Sequence, residues 1–310
     1  TIAFDTDEGS FTAVEGVSFD IMPGEIVGLV GESGCGKSVT ALGLLRLIPS
    51  PPGRIVGGQI ALEGQDLLSL PIREMRRIRG QTISMIFQEP GSALSPLHKI
   101  GRQLIETVRL HRDVSRNAAA EMAEEWLRKV RIPDPKERMS AYPHQLSGGM
   151  QQRVMIAMAL MLEPRIVIAD EPTTALDVTI QAQIFEVIRE MRQRETAVLL
   201  ITHDLGVVWE MCDRVVVMYA ARIAESAPVD ALFRRPAHPY TRGLLTSIPR
   251  LSGQPGKLSA ISGQVPSPMH FPSGCHFRDR CPHAFDRCAT EIPPAVALER
   301  GHHAACFRNS

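Results

Sequence analysis

Gly31-Glu-Ser-Gly-Cys-Gly-Lys37-Ser38 carries the spacing G-x-x-x-x-G-K followed by Ser or Thr. Such glycines let a backbone curl until successive N–H groups face phosphate oxygens, and a following helix adds its positive end. Ser33, Gly34, Cys35, Gly36 and Val39 would offer these backbone donors. Lys37 would reach the β- and γ-phosphates of a nucleotide, and Ser38 would ligate Mg²⁺. A second constellation is Arg165-Ile-Val-Ile-Ala-Asp170-Glu171, where an apolar run ends in two carboxylates. Asp170 is suited to hold Mg²⁺ through water, and Glu171 to orient or deprotonate an attacking water. Together the two motifs describe hydrolysis of a nucleoside triphosphate. A third cluster is Cys275, Cys281, Cys288 and Cys306; the remaining cysteines, Cys35 and Cys212, stand alone. Four thiolates so close in sequence can close a metal or cluster site. No C-x-x-C pair is present, so the residues alone leave iron–sulfur, zinc and merely reduced thiols open. His270, His276, His283, His302 and His303 are nearby substitutes.

These groups need a scaffold. Glu25–Val30 reads as an apolar strand feeding the glycine-rich turn, and a helix follows from Lys37 to about Ile48. Thr82–Phe87, Arg165–Ala169, Ala197–Ile201 and Val215–Met218 read as further buried strands. Ser115 can cap an Ala-rich helix from Arg116 to about Val130. Ile180, Ile184, Val187, Ile188 and Met191 share one helical face. Strand and helix alternate over the first 230 residues, which predicts an α/β domain on a largely parallel sheet. Residues 90–163 lack a β-branched run and read as a helical insertion. Arg73, Arg76, Arg77 and Arg79 read as a solvated helix face. Beyond about residue 235, Pro, Gly, Cys and His concentrate and periodicity weakens.

Composition sets the limits. The chain has 310 residues, which suggests about two domains. Hydrophobic residues are 44%, and Lys+Arg and Asp+Glu both number 34. A neutral chain argues against a nucleic-acid coat or a polybasic membrane-surface protein. The longest apolar run, Val154 to Leu162, is far short of the roughly 20 residues a membrane span needs. No secretory signal is visible.

Leu146-Ser147-Gly148-Gly149-Met150-Gln-Gln-Arg153 resembles the LSGGQ signature of ATP-binding cassette (ABC) ATPases, with Met150 in place of the usual Gln. Gln88 resembles the Q-loop glutamine, Ala175-Leu176-Asp177 the D-loop, and His203 the switch histidine. The resemblance implies a P-loop ABC-type fold: a parallel sheet core, an antiparallel β edge and a helical signature subdomain. It also implies two cassettes facing head to tail, with ATP between one phosphate loop and the partner's Ser147, Gly148 and Gly149. In that arrangement Glu171, His203 and Gln88 are catalytic, Gln88 also approaches Mg²⁺, and Asp177 lies near the nucleotide. Val39 stands where many cassettes have Thr. Phe11 is the best-placed ring for adenine stacking, or else a core ring.

Met85-Ile-Phe-Gln-Glu-Pro90, Tyr142-Pro-His-Gln145, Asp170-Glu-Pro-Thr-Thr174 and His238-Pro-Tyr-Thr-Arg-Gly-Leu-Leu245 are similar to one branch of that family, the ATP-binding subunits of bacterial oligopeptide/dipeptide/nickel importers. The resemblance implies a cassette over residues 1–230, with the helical subdomain at about 90–163, and an irregular Cys-rich extension over 231–310. Its expected ligands are ATP, Mg²⁺ and a 4Fe–4S cluster on the four late cysteines, with zinc as the alternative. Expected partners are a second, related ATPase subunit, two transmembrane permeases and an extracytoplasmic peptide-binding protein, with no nucleic acid. The expected place is the cytoplasmic face of the bacterial inner membrane, attached through the permeases. Nickel or another small solute is the alternative cargo. A soluble ABC ATPase is disfavoured, because neither a coiled-coil insertion nor a second cassette is visible.

Overall fold

The structure is a computed structural model that describes residues 1–174, 176–192, 195–247 and 261–309. In chain order the strands are β1 (Ile2–Thr6), β2 (Gly9–Val14), β3 (Ile26–Val30), β4 (Gly53–Ile55), β5 (Ala61–Leu62), β6 (Gln65–Asp66), β7 (Ile83–Ile86), β8 (Ile166–Asp170), β9 (Ala197–Ile201), β10 (Arg214–Tyr219), β11 (Arg222–Pro228), β12 (Ala295–Glu299) and β13 (His302–Ala305). The helices are α1 (Lys37–Leu44), α2 (Ile72–Ile78), α3 (Ile100–His111), α4 (Arg116–Lys129), α5 (Pro135–Arg138), α6 (Gly148–Leu160), α7 (Val178–Arg192), α8 (Leu205–Met211), α9 (Val229–Arg234), α10 (Pro239–Thr246) and α11 (Asp286–Thr290). The chain forms two compact units. One holds Thr1–Asp20, Val27–Leu68 and Thr202–Ser310; the other holds Ile21–Ile26 and Ser69–Ile201.

The first unit contains the antiparallel sheet β2-β1-β4 and a run of strands ordered β12-β13-β11-β10-β3. Within that run only β10 and β3 are parallel; β11, β13 and β12 add an antiparallel edge. All of β10 after Arg214 is buried, the pattern of a strand covered on both faces. The phosphate loop joins β3 to α1. Helix α1 stops at Leu44, short of the expected Ile48, because Arg46 turns to φ 53° and Pro49 follows. A left-handed residue cannot continue the helix. The Cys-rich stretch belongs to this same unit and carries regular elements that weak periodicity did not announce: α9, α10, α11, β12 and β13.

The second unit contains the parallel strands β9, β8 and β7 in that order, every residue of β7 and β9 being buried. Between β7 and β8 the chain is helical, from α3 to α6, as the missing β-branched run predicts. Ser115 caps α4, its hydroxyl accepting from the Ala118 N–H at 3.2 Å. Helix α6 is buried on most sides over Val154–Leu160. Helix α7 buries Ile184, Phe185, Ile188 and Met191. Arg73, Arg76 and Arg77 lie exposed on α2, whose one buried residue is Met75. Among the described residues no helix is long and apolar enough to cross a membrane.

Candidate functional site

The first unit supplies a cradle. Gly31, Gly34 and Gly36 take φ of 152°, 80° and 103°. At Gly31 a Cβ would strike the Met218 carbonyl oxygen, and at Gly36 the Ala13 carbonyl oxygen, so backbone packing as well as φ excludes a side chain. Lys37 opens α1 and folds back over the loop. Its Nζ donates to the carbonyls of Gly31 at 2.8 Å and Glu32 at 3.0 Å. The ammonium is therefore held beneath the curl whose N–H groups suit an anion. Cys35 is fully buried, with Sγ 3.8 Å from the Lys37 Nζ. Burial raises its thiol pKa although Lys37 opposes the shift, so the residue is packing rather than a reactive group. Ser33 and Gly34 are exposed, while Ser38 and Val39 are half-buried. Phe11 lies on β2 opposite Phe4, ring stacked on ring at 5.6 Å, with part of its surface open. His203 is exposed just before α8, which Asp204 caps by accepting from the N–H groups of Gly206 and Val207.

The second unit supplies the carboxylates. Asp170 is buried at the C-terminal end of β8, where α/β sheets present their ligand-binding residues. Glu171 follows at φ 46°, a left-handed conformation that a glutamate seldom takes. Its N–H donates to the Ile201 carbonyl at 2.9 Å. The Thr174 hydroxyl donates to Glu171 Oε2 at 3.1 Å, and Gln88 Nε2 approaches the same oxygen at 3.5 Å. Two residues singled out by sequence, Gln88 and Glu171, are thus brought together. Gln88 lies two residues beyond the end of β7 and is exposed.

In the same unit Ser147 is the N-cap of α6, its Oγ accepting from the Met150 N–H at 3.3 Å. Ser147 and Gly148 are exposed and Gly149 half-buried, so a helix N-terminus with its free N–H groups faces outward. Asp177 caps α7 by accepting from the Ile180 N–H at 3.0 Å. Ala175, the first residue of the D-loop resemblance, lies outside the described residues.

Cys275, Cys281, Cys288 and Cys306 line one recess in the first unit, together with Phe277, Phe285 and Phe307. The thiols lie within electrostatic reach of one another. Cys275 is pushed up to about 11, chiefly by burial, with Cys288, Cys281 and Cys306 adding to the shift. Cys281 is raised for the same reasons, although Arg308 opposes. Among the described residues no set of three or more His, Cys, Asp or Glu side chains could hold a metal ion, so neither the 4Fe–4S cluster nor the zinc alternative finds a preformed site. Of the possible histidine substitutes, His276 bonds the Ala220 carbonyl at 2.6 Å and His302 bonds Glu225 at 2.8 Å; His283 lines the recess.

Sequence spacing did not reveal several partners. Gln152 is fully buried and donates to the Pro172 carbonyl at 2.8 Å, tying the signature helix α6 to the residue after Glu171. Thr174 is the hydroxyl that grips Glu171. Glu32 lies in an unconstrained position of the glycine motif, yet it pairs with Arg280 at 2.6 Å. The only sequence hint was a charged residue at each end of that pair.

Residues 14–174 match the ABC transporter family, and residues 224–288 match the C-terminal region of oligopeptide/dipeptide transporters. A probable peptide ABC transporter ATP-binding protein of Sinorhizobium fredii is 53% identical over 306 residues, covering 98% of this chain and 91% of the relative. The oligopeptide transport ATP-binding protein AppD of Bacillus subtilis is 50% identical over 296 residues, covering 95% and 90%. Among solved structures, a dimeric post-hydrolysis ATP-binding cassette bound to ADP and Pi aligns with a TM-score of 0.65 at 26% identity, over 74% of this chain and 99% of that one.

Proposed function

The chain belongs to the ABC transporter family, and we propose that it is the ATP-hydrolysing subunit of an importer of di- and oligopeptides. The observation that carries the hydrolytic part of the reading is Glu171; the peptide part rests on the relatives. A carboxylate follows the buried Asp170 in a left-handed backbone, its oxygen gripped by Thr174 and approached by Gln88. Strain of that kind persists where surrounding contacts over-determine it.

The roles follow from chemistry. The N–H groups of residues 33–39 bind phosphate oxygens, and Lys37 shifts from its loop carbonyls to the β- and γ-phosphates. Ser38, Asp170 and Gln88 would hold Mg²⁺. The ion, when bound, neutralises charge on the β- and γ-oxygens. Glu171 accepts the proton of the attacking water, and His203 donates to the γ-phosphate. Ser147, Gly148 and Gly149 present a capped helix N-terminus to the nucleotide of a second, related cassette, with Asp177 beside it. Phe11 stacks on adenine by the face that Phe4 leaves open. ATP contacts both cassettes only when they are closed, so binding shifts that equilibrium and hydrolysis releases it.

The cassette is read over residues 1–230 and the extension over 231–310. Two permeases and an extracytoplasmic binding protein complete the transporter, and this chain sits peripherally on the cytoplasmic face of the membrane. Peptide selection rests with those partners. The four late cysteines line one recess, and their number and thiolate chemistry suit a 4Fe–4S cluster, with one zinc ion as the alternative. Arg278 and Arg308, which also line the recess, would offset thiolate charge. Such a cluster would cross-link the 275–288 segment to Cys306 beyond β13. Iron and acid-labile sulfide in anaerobically purified protein test this; their absence ends the cluster assignment.

Glu171→Gln tests the main reading. ATP binding should persist while phosphate release falls by about 10²- to 10⁴-fold. Turnover close to that of the unaltered chain would remove Glu171 from the chemistry.

A further inference from the structure

We propose that Arg280, in the Cys-rich segment, is a positioning residue for the phosphate loop, so that ATP affinity is set partly from the far end of the chain. The inference rests on reading residues 31–38 as the ATP site. It starts from Glu32, whose side chain and backbone are both held by residues beyond position 200. Arg280 Nη1 donates to Glu32 Oε2 at 2.6 Å, and Nη2 to Oε1 at 3.0 Å. The guanidinium is nearly enclosed: the Arg280 side chain is 6% exposed and the Glu32 side chain 30%. Arg280 Nε donates to the Ser262 carbonyl at 2.9 Å. The group also lies 5.7 Å from the centre of the Tyr219 ring.

The backbone of Glu32 is held from the other side. Its N–H donates to the Tyr240 hydroxyl at 2.8 Å. Tyr240 is fully buried, packed against Tyr219 at 4.6 Å and Phe277 at 5.4 Å between ring centres. The Glu32 carbonyl is in turn one of the two that hold the Lys37 ammonium. Arg280 therefore acts through Glu32 on the lysine that meets phosphate. A bidentate pair with an enclosed guanidinium fixes direction as well as charge, unlike a fully exposed one. The gain is preorganisation. A loop already curled loses less freedom when it closes on phosphates, and this appears as affinity.

The pair reaches Lys37 through the Glu32 carbonyl, so its loss should disturb the placement of the loop before it alters the reacting groups. Loss of the pair should raise the KM for ATP and leave kcat at saturation nearly unchanged. That split separates positioning from a general loss of folded protein, which would lower the active fraction and hence kcat with KM intact.

The test uses the full chain, with ATP and Mg²⁺ as the probe, in equilibrium binding and steady-state hydrolysis. Arg280→Met and Glu32→Gln should each weaken ATP binding by roughly tenfold. The double variant should be little worse than either, because the two share one interaction. Arg280→Lys should recover part of the affinity through its charge but not the fork geometry. Tyr240→Phe deletes one hydroxyl from a packed ring and should raise KM by a smaller factor; it keeps the proposal testable if Arg280→Met does not fold. Unchanged KM in Arg280→Met, or in Tyr240→Phe where Arg280→Met is unfolded, overturns the proposal while wild-type binding leaves the ATP-site reading standing. If the unaltered chain itself neither binds nor hydrolyses ATP, that reading falls first.

Discussion

At residue scale, the site works by holding its charges in place. Lys37 is held beneath its loop by two carbonyls, a geometry that a methyl group cannot reproduce. Lys37→Ala should therefore lose ATP affinity by about 10-fold or more at equilibrium, since the β/γ charge is left uncompensated. Gly36→Ala should do comparable damage by a different route. The new Cβ would meet the Ala13 carbonyl at a backbone φ of 103°, so the loop itself must shift. Loss of nucleotide binding in a chain that still melts cooperatively is the expected result; normal binding would mean that the loop relaxes freely. The principal site residues were legible as motifs because their spacing is local. Their supports were not. Glu32 and Arg280 lie at opposite ends of the chain, and no local pattern pairs them.

At element scale, helix caps carry both structure and function. Ser147 starts α6 by accepting from Met150, and on the proposed reading its O–H faces the partner's nucleotide. Ser147→Ala should cost about 1 kcal/mol of stability in denaturant unfolding. In a complex of two different cassettes it should also impair only the site formed with the partner's phosphate loop. Ser115→Ala on α4 is the control, with a similar stability loss and no effect on hydrolysis. Helices α1, α4 and α7 were visible in sequence. The strands β3, β7, β8, β9 and β10 announce themselves as short apolar runs, β9 to the residue and the others with ends misplaced by at most one. What sequence hid was low-contrast structure: α1 ending early at a left-handed Arg46, and the β12–β13 hairpin, whose outer strand is mostly exposed. A strand with so little buried surface leaves almost no hydrophobic signature.

At the scale of the molecule, the C-terminal stretch is anchored through buried polar groups as well as through apolar side chains such as Tyr240 and Phe277. Glu225 on β11 is completely buried and accepts from the N–H groups of Ala237 and His238 and from His302 Nε2, each at 2.8 Å. His238 Nδ1 in turn accepts from the Tyr240 N–H at 3.0 Å. Burial holds the His238 pKa down from 6.5 to about 4, with Glu225 and the Ala305 carbonyl pulling the other way. The folded state therefore binds this proton less readily than the unfolded chain does. Stability should be full above pH 6.5, fall as pH drops toward about 4, and level off below that. The loss attributable to this group is on the order of 3 kcal/mol. Unfolding midpoints across this range should show the slope, and His238→Asn, which keeps an acceptor for Tyr240, should flatten it.

The pairing of Glu32 with Arg280 also has a consequence in time. A ribosome makes Glu32 early and Arg280 roughly 250 residues later, a delay on the order of 10–50 s. During that interval the phosphate loop exists without its clamp, and on the proposed reading a nascent or prematurely ended chain should hold ATP less tightly. Full affinity for fuel would then arrive only with the last part of the message.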